Sequence, residues 1–206
     1  MSVGVKSANA EYNAKYFGVG RGTNIYVHAA GIWMPFGRPQ VIGTNEEALF
    51  VIDALCNHES DLHIREHYTD TGGSTEQVFA LATLLGFRFA PHISDALSKK
   101  LYLLDAVGAS APLDTLLFEQ VNQKLIVEQW EEMQRVASSI RHGTVSASLL
   151  MRKLAAYPRQ NQVAPSLPDF GKLERTDLFF AGVFSRCGTP SSDSHWTRVM
   201  EKHSTH

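Results

Sequence analysis

An aspartate stands between a strand-like segment and a glycine turn, which is a pattern that can hold a carboxylate in a reactive position. Residues 62–68 carry polar side chains at alternate positions, which favours a strand, and Asp70 lies where that strand would end. Gly72 and Gly73 then allow the backbone to turn, and Ser74 begins a capping box for a helix. We therefore predict that Asp70 lies at the rim of an α/β sheet, the commonest position in such folds for a ligand or a metal ion.

Two histidines in the same stretch support a different prediction. His63, His67 and Asp70 are spaced i, i+4, i+7. On a helix these side chains would share one face and could bind zinc, as in a zinc hydrolase. In a third interpretation Asp70 only forms a turn and both histidines face solvent. The zinc site requires residues 62–68 to be helical, whereas the sheet-rim carboxylate requires them to form a strand.

Strands and helices are predicted to alternate around this turn. Asp53 lies on the first predicted helix, where we expect it to be a solvent-facing charge. The order of elements predicts an α/β fold. The predicted elements are a strand at 23–30, a turn at 34–39, at most a short strand at 41–42, a helix at 45–56, a strand at 62–68, a helix from 74 to 86 and a strand at 87–93.

The second half of the chain is predicted to be helical. From Asp114 apolar residues recur at helical spacing until Gly143 ends the run, and a further helix spans 145–157. Residues 134–159 contain no aspartate or glutamate, which predicts a local basic surface. Such a surface suits contact with the phosphate backbone of a nucleic acid. The alternative is a run of charge on a solvated helix face. The residues concerned are Arg135, Arg141, Arg152, Lys153 and Arg159, with Tyr157 and Asn161 beside them.

Length, charge and cysteine content restrict the class of protein. A chain of 206 residues with 44% hydrophobic and 19% charged residues can bury a sizeable core. The net charge of -2 argues against a protein that coats nucleic acid uniformly. Cys56 and Cys187 lie far apart without metal-ligand spacing, which fits a reducing compartment. No apolar run is long enough to span a membrane, so we expect a soluble, cytoplasmic protein without a membrane partner.

Several longer motifs resemble, in the same order, the catalytic region of the bacterial replicative transposases of the Tn3 type. The resemblance covers about residues 3–176, and its length makes it far more specific than any single spacing. The motifs are Lys-Tyr-Phe-Gly at 15–18, Glu-His-Tyr-Thr-Asp-Thr-Gly-Gly-Ser-Thr at 66–75, Leu-Leu-Gly-Phe-Arg-Phe-Ala-Pro at 84–91, Ser-Ile-Arg-His-Gly at 139–143, Lys-Leu-Ala-Ala-Tyr-Pro-Arg-Gln-Asn at 153–161 and Leu-Glu-Arg-Thr at 173–176.

The resemblance implies a ribonuclease-H-like core in which two aspartates and a glutamate hold two divalent ions, Mg²⁺ or Mn²⁺. Asp70 matches the second aspartate. The family's first aspartate lies in a Ser-Ser-Asp-Gly stretch that this sequence does not contain, and its glutamate lies in an Asn-Lys-Gly-Glu stretch beyond the Glu-Arg-Thr motif. Glu201 stands in neither. We therefore expect an internal fragment of a DDE transposase that retains one of three ligands, holds no ion stably and is inactive alone.

The resemblance also implies an organisation of the chain and a set of partners. We expect an incomplete ribonuclease-H-like mixed sheet without its first strand at 1–105, a helical continuation of the transposase domain at 106–176, and a divergent, disordered tail at 177–206. The implied partners are DNA at transposon ends and a full-length transposase or a second copy of the chain. The alternative function is that of a non-catalytic protein that binds DNA or pairs with a transposase.

Overall fold

The chain is a mixed α/β protein in which small sheets lie against a cluster of helices. The computed structural model describes residues 2–4, 11–12, 18–29, 35–42, 47–58, 60–69, 74–92, 100–103, 118–157 and 161–188. Asp70, Arg159 and residues 189–206 of the predicted tail lie outside these ranges. The strands are β1 (Ser2–Gly4), β2 (Glu11–Tyr12), β3 (Arg21–Ala29), β4 (Pro35–Ile42), β5 (Glu66–His67), β6 (Arg88–Phe89), β7 (Leu101–Leu103) and β8 (Phe118–Gln120). The helices are α1 (Glu47–Cys56), α2 (Glu76–Leu85), α3 (Gln123–Glu128), α4 (Trp130–Arg141), α5 (Ala147–Ala156) and α6 (Val163–Gly188).

An antiparallel sheet surrounds β3, which pairs with β1, β2 and β4. The predicted strand at 23–30 is confirmed as part of β3. The predicted turn at 34–39 is wrong, because β4 is a continuous strand from Pro35 to Ile42. The prolines and the glycine of this segment are typical of a turn. A proline is nevertheless tolerated at the first residue of a strand and on an edge strand, because its backbone nitrogen is not required there to donate a hydrogen bond to a neighbouring strand. Among the described residues β4 pairs with β3 alone.

A parallel pair, β5 and β6, is connected by α2, and this unit carries the predicted site. The predicted order of strand, helix and strand is confirmed, while the predicted turn at Gly72 and Gly73 lies outside the described residues. The strand at 62–68 is shorter than predicted, because only Glu66–His67 is a strand and residues 61–65 have no regular structure. The helix begins one residue later than predicted, with Thr75 as its N-cap, and it ends at Gly86, whose φ of 82° is left-handed.

A second parallel pair joins β7 to β8 with Leu101 opposite Phe118. The helix predicted from Asp114 is therefore wrong at residues 118–120, which form β8. A short apolar run has no period that separates a strand from a helix, and here pairing with β7 decides the outcome. The helices predicted to end at Gly143 and to span 145–157 are confirmed as α4 and α5.

The core lies between the helices, with α2 at its centre. Six of the ten residues of α2 are buried, on all sides of the helix, which is the composition expected of a helix enclosed by others. The largest fully buried side chains are Ile52, Leu55, Leu81, Met133, Ile140 and Leu167. None of the helices in the described ranges is both long and apolar enough to cross a lipid bilayer.

The last helix, α6, runs from Val163 to Gly188 without interruption. The prediction that a disordered tail starts at 177 is therefore wrong for residues 177–188. No break occurs at Asp177, because half-buried side chains on both sides of it, including Leu178, keep the helix packed against its neighbours. Tertiary packing of this kind stabilises helices whose own apolar period is weak.

Candidate metal and DNA site

The carboxyl ends of β5 and β6 lie side by side just before residue 70 of the sequence. The parallel ladder continues beyond the strands: the N–H of Ala90 donates to the carbonyl of His67 at 2.9 Å, and the N–H of His92 donates to the carbonyl of Thr69 at 2.7 Å. The residue before Asp70 is thus held in the ladder. In α/β sheets the carboxyl ends of parallel strands are the usual place for ligands. The position of the Asp70 carboxylate itself lies outside the described residues and stays a prediction.

His67 is half-buried in a stack of rings that joins β3 to β5 and β6. Its ring centroid lies 5.3 Å from that of His28 and 6.1 Å from that of Phe89, which in turn contacts Phe79 edge-on at 5.0 Å. Burial, and then the neighbouring His28, lower the pKa of His67 to about 4. Burial also lowers the pKa of His28. Both rings are therefore neutral at pH 7, and the interpretation that made His67 a solvent-facing residue is wrong.

The helical arrangement required by a zinc site is not formed. Residues 61–65 have no regular structure and His67 lies on a strand, so His63 and His67 do not share a helix face. His63 is exposed, whereas His67 points into the ring stack. Within the described ranges no group of three or more histidine, cysteine, aspartate or glutamate side chains could hold a metal ion.

The described carboxylates nearest to Asp70 along the chain are both bound to arginines. Glu66 accepts hydrogen bonds from Tyr68 Oη at 2.7 Å and from Arg88 Nη1 at 3.0 Å. The hydrogen bond from Tyr68 lowers the pKa of Glu66, as do the hydrogen bond and the charge of Arg88, although partial burial opposes them. Glu76 forms an ion pair of 2.5 Å with Arg175. Because these carboxylates are engaged, the described residues do not by themselves fit a two-metal site.

Three of the residues predicted to contact DNA, Arg152, Lys153 and Tyr157, lie at the end of α5. Arg152 and Lys153 are exposed on its last turns, and Tyr157, which follows it, is 61% exposed. Arg152 Nε donates to the carbonyl of Ser148 at 3.2 Å. This hydrogen bond holds the guanidinium group against its own helix. This end of α5 therefore presents two cations and an aromatic ring on the surface.

The other predicted DNA-binding residues have different positions. Arg141 Nη2 donates to the carbonyl of Leu85 at the end of α2, so it satisfies a terminal carbonyl of that helix. Asn161 Oδ1 accepts from the N–H of Val163 at 2.9 Å and caps the start of α6. Arg159 lies outside the described residues. Contact of any of these residues with DNA stays a prediction.

Asp53 is a buried anchor that the sequence prediction missed. It is 5% exposed, so the expectation of a solvent-facing charge is wrong. Its Oδ1 accepts from the N–H of Ala147 at 2.5 Å, and its carboxylate also accepts from the N–H of Ser148 at 3.3 Å. These amides begin α5, so the carboxylate fixes the basic helix to α1 and complements its positive end. In the sequence Asp53 comes next to Ile52 and four residues after Leu49, and this helical spacing from apolar residues was the signal that could have predicted its burial.

Comparison with known proteins places these features in a family. The model of the Tn3 transposase DDE domain matches residues 1–181. The transposase for transposon Tn1546 of Enterococcus faecium is 43% identical over 176 residues, which are 85% of this chain and 18% of that protein. The transposase for Tn501 of Pseudomonas aeruginosa is 46% identical over 164 residues, covering 80% of this chain and 16% of the relative.

A more distant relative matches a similar share of the chain. The transposase for transposon gamma-delta of Escherichia coli is 33% identical over 172 residues, covering 84% of this chain and 17% of the relative. The chain thus spans about a sixth of the length of these relatives. No solved structure matches it. A DDE domain implies use of a divalent metal ion in the family. The extent of the family match and the identity to these relatives establish that this chain belongs to the Tn3 transposase DDE family.

Proposed function

We propose that this chain is part of the catalytic region of a replicative transposase and that Asp70 is one of three carboxylates that hold two Mg²⁺ or Mn²⁺ ions. The observation that carries the proposal is the hydrogen bond between His92 and Thr69, which closes a parallel ladder immediately before Asp70. A ribonuclease-H-like fold for the whole region is supported by the antiparallel sheet around β3 followed by the parallel β5–α2–β6 unit. The ions, when bound, would favour attack on a phosphodiester of transposon-end DNA.

Because Mg²⁺ requires several oxygen ligands, one carboxylate is not sufficient for two ions. We therefore expect the isolated chain neither to nick nor to join DNA. Incubation of a supercoiled plasmid with the chain and Mn²⁺ tests this expectation. Nicking that is abolished by Asp70→Ala would show that the chain completes a catalytic site.

The role of Asp70 as a ligand is tested by paramagnetic broadening. Weakly bound Mn²⁺ at millimolar concentration should broaden the amide NMR signals of Thr69 and His92, because Thr69 precedes Asp70 in the sequence and His92 is hydrogen-bonded to Thr69. Asp70→Asn should abolish this broadening, and the exposed control Asp61→Asn should leave it unchanged. Broadening that persists in Asp70→Asn would exclude Asp70 as the ligand.

We further propose that the end of α5 contacts the phosphate backbone of DNA. Arg152 and Lys153 are exposed there beside Tyr157, whose ring is also accessible. Arg152→Ala and Lys153→Ala should each weaken DNA binding on all sequences and reduce the slope of log K against log salt by about 0.9. Fluorescence anisotropy at several salt concentrations measures both quantities.

A charge-matched control is available on another helix. Lys124 of α3 is 85% exposed at its side chain and forms an i,i+4 ion pair with Glu128. Lys124→Ala should leave DNA affinity unchanged. Equal losses in Lys124→Ala and Lys153→Ala would mean that net charge, and not the end of α5, determines binding. DNA binding without any effect of Asp70→Asn on Mn²⁺ broadening would favour the alternative of a non-catalytic DNA-binding protein.

A further inference from the structure

The first turn of α5 is bound at Ser148 by two side chains of different elements. The N–H of Ser148 donates to the carboxylate of Asp53 on α1 at 3.3 Å. The carbonyl of the same residue accepts from Arg152 Nε at 3.2 Å. Ser148 is 4% exposed and lies where α1 packs against α5. Asp53 and Arg152 are therefore connected through one buried residue.

The hydrogen bond from Arg152 directs its side chain back towards the start of α5. A bond from residue 152 to the carbonyl of residue 148 spans one helical turn. Long side chains on a helix generally lie over the turn that precedes their own Cα atom. Arg152 is also an exposed residue. The place of its guanidinium on the surface therefore depends on the first turn of the helix, although its Cα atom lies further along.

Asp53 fixes that first turn to the protein core. Its Oδ1 also accepts from the N–H of Ala147 at 2.5 Å, and both residues are buried. The first N–H groups of a helix have no partner within the helix, so the carboxylate satisfies two of them at once. Ser146 Oγ accepts from the N–H of Leu149 at the longer distance of 3.4 Å. Loss of the Asp53 carboxylate would therefore release the turn whose carbonyl binds Arg152.

We infer that Asp53 is a positioning residue for the guanidinium of Arg152. This inference rests on the proposed function, in which the end of α5 contacts the phosphate backbone of DNA. The N–H groups of a guanidinium form directed hydrogen bonds with phosphate oxygens, so its orientation determines how well it binds them. A buried acidic residue thus supports the binding of a polyanion, although its own charge opposes that binding.

The charge and the position of Asp53 predict opposite changes in DNA affinity. Loss of one negative charge would strengthen the attraction to DNA, whereas release of Arg152 would weaken it. We expect Asp53→Ala to bind duplex DNA more weakly than the parent chain, about as weakly as Arg152→Ala. The slope of log K against log salt should fall by up to about 0.9, the value for one phosphate contact. Fluorescence anisotropy with the full 206-residue chain measures both quantities.

The salt slope separates the loss of a contact from the loss of folded protein. A partly unfolded population lowers the apparent affinity by the same factor at every salt concentration and leaves the slope unchanged. In an Arg152→Ala background, Asp53→Ala should not lower the slope further. In a Lys153→Ala background, it should lower the slope by the same amount as in the parent chain.

Two control variants separate the anchor from charge and from helix capping. Asp61→Ala removes an exposed carboxylate, so it should not weaken DNA binding. Ser146→Ala removes the acceptor of the Leu149 N–H and leaves the bonds of Asp53 in place, so the salt slope should remain that of the parent chain. An equal loss of slope in Ser146→Ala and Asp53→Ala would mean that general loosening of the first turn is responsible, which would overturn the inference.

An affinity of Asp53→Ala that equals or exceeds that of the parent chain would also overturn the inference, because only the charge of Asp53 would then matter. If Asp53→Ala does not fold, Asp53→Asn decides, with smaller changes in the same direction. If Arg152→Ala itself leaves affinity and slope unchanged, the proposed DNA contact is refuted together with the inference. Losses in Arg152→Ala without losses in the Asp53 variants would refute the inference alone.

Discussion

The buried carboxylate of Asp53 offers the sharpest test of how the basic helix α5 is held. In Asp53→Ala the N–H groups of Ala147 and Ser148 lose their acceptor. Ala147 is 0% exposed and Ser148 is 4% exposed, so water cannot easily replace the carboxylate. We expect the variant to unfold more easily and α5 to lose the fixed start of its first turn.

The magnitude follows from two opposing effects. A hydrogen bond to a charged group contributes about 1.5–3 kcal/mol, and an unsatisfied buried donor costs about 1–3 kcal/mol. Removal of a buried charge recovers part of its desolvation cost. The Ala147 contact at 2.5 Å is short and the Ser148 contact at 3.3 Å is weak, so acceptor loss exceeds the recovered desolvation. We expect a net loss of about 2–4 kcal/mol, which lowers Tm by about 2–4 °C for each kcal/mol in a chain of this size.

Thermal and urea unfolding followed by circular dichroism measure this loss. Asp53→Asn retains a carbonyl acceptor and should lose only about 1 kcal/mol. The exposed control Asp61→Ala should remain within about 0.5 kcal/mol of the parent chain. The reasoning would be refuted if Asp53→Ala and Asp61→Ala had the same stability.

The remaining predictions concern pH, thiol reactivity and a helix end. The folded pKa of His67, about 4, lies below its unfolded value of about 6.5, so its contribution to stability is fully present above pH 6.5 and is lost as the pH falls towards 4. That loss is up to about 3 kcal/mol, and urea unfolding of His67→Phe across this range should show a smaller pH dependence. Burial, and then the Asp53 charge, raise the pKa of Cys56 to about 11 although Arg141 opposes them. In a Cys187→Ser background, alkylation of Cys56 at pH 8 should therefore be about 100-fold slower in the folded chain than in urea; equal rates would contradict the burial. Gly86→Ala should cost about 1 kcal/mol because its φ is 82°, and an unchanged urea midpoint would argue against the left-handed cap.

Much of the unit around Asp70 could be predicted because its signals are local. The helix α2 has its N-cap at Thr75, and its left-handed terminal glycine is Gly86, so its limits follow from residues within one turn of each end. Gly143, which follows α4, has a φ of 68°. The end of that helix is likewise predicted from this glycine. The parallel arrangement of β5 and β6 agrees with a strand, helix and strand in succession.

The errors arose where a partner distant in sequence decides the structure. β4 is a strand because β3 pairs with it, despite the prolines in its sequence. β8 is a strand because β7 lies beside it. Of the DNA-binding candidates, Arg141 and Asn161 cap helices, because these side chains reach open backbone groups of a neighbouring or following helix.

The amino-acid sequence by itself determined the family and, to within one residue, the limits of α2, since motifs and caps act over a few residues. Only the tertiary structure decided that Asp53 is buried against α5, 94 residues later, and that Arg175 binds Glu76 across 99 residues. The local sequence around a charged side chain on an amphipathic helix is nearly the same whether that side chain faces water or a buried partner. The packing of whole helices against one another settles which of the two occurs.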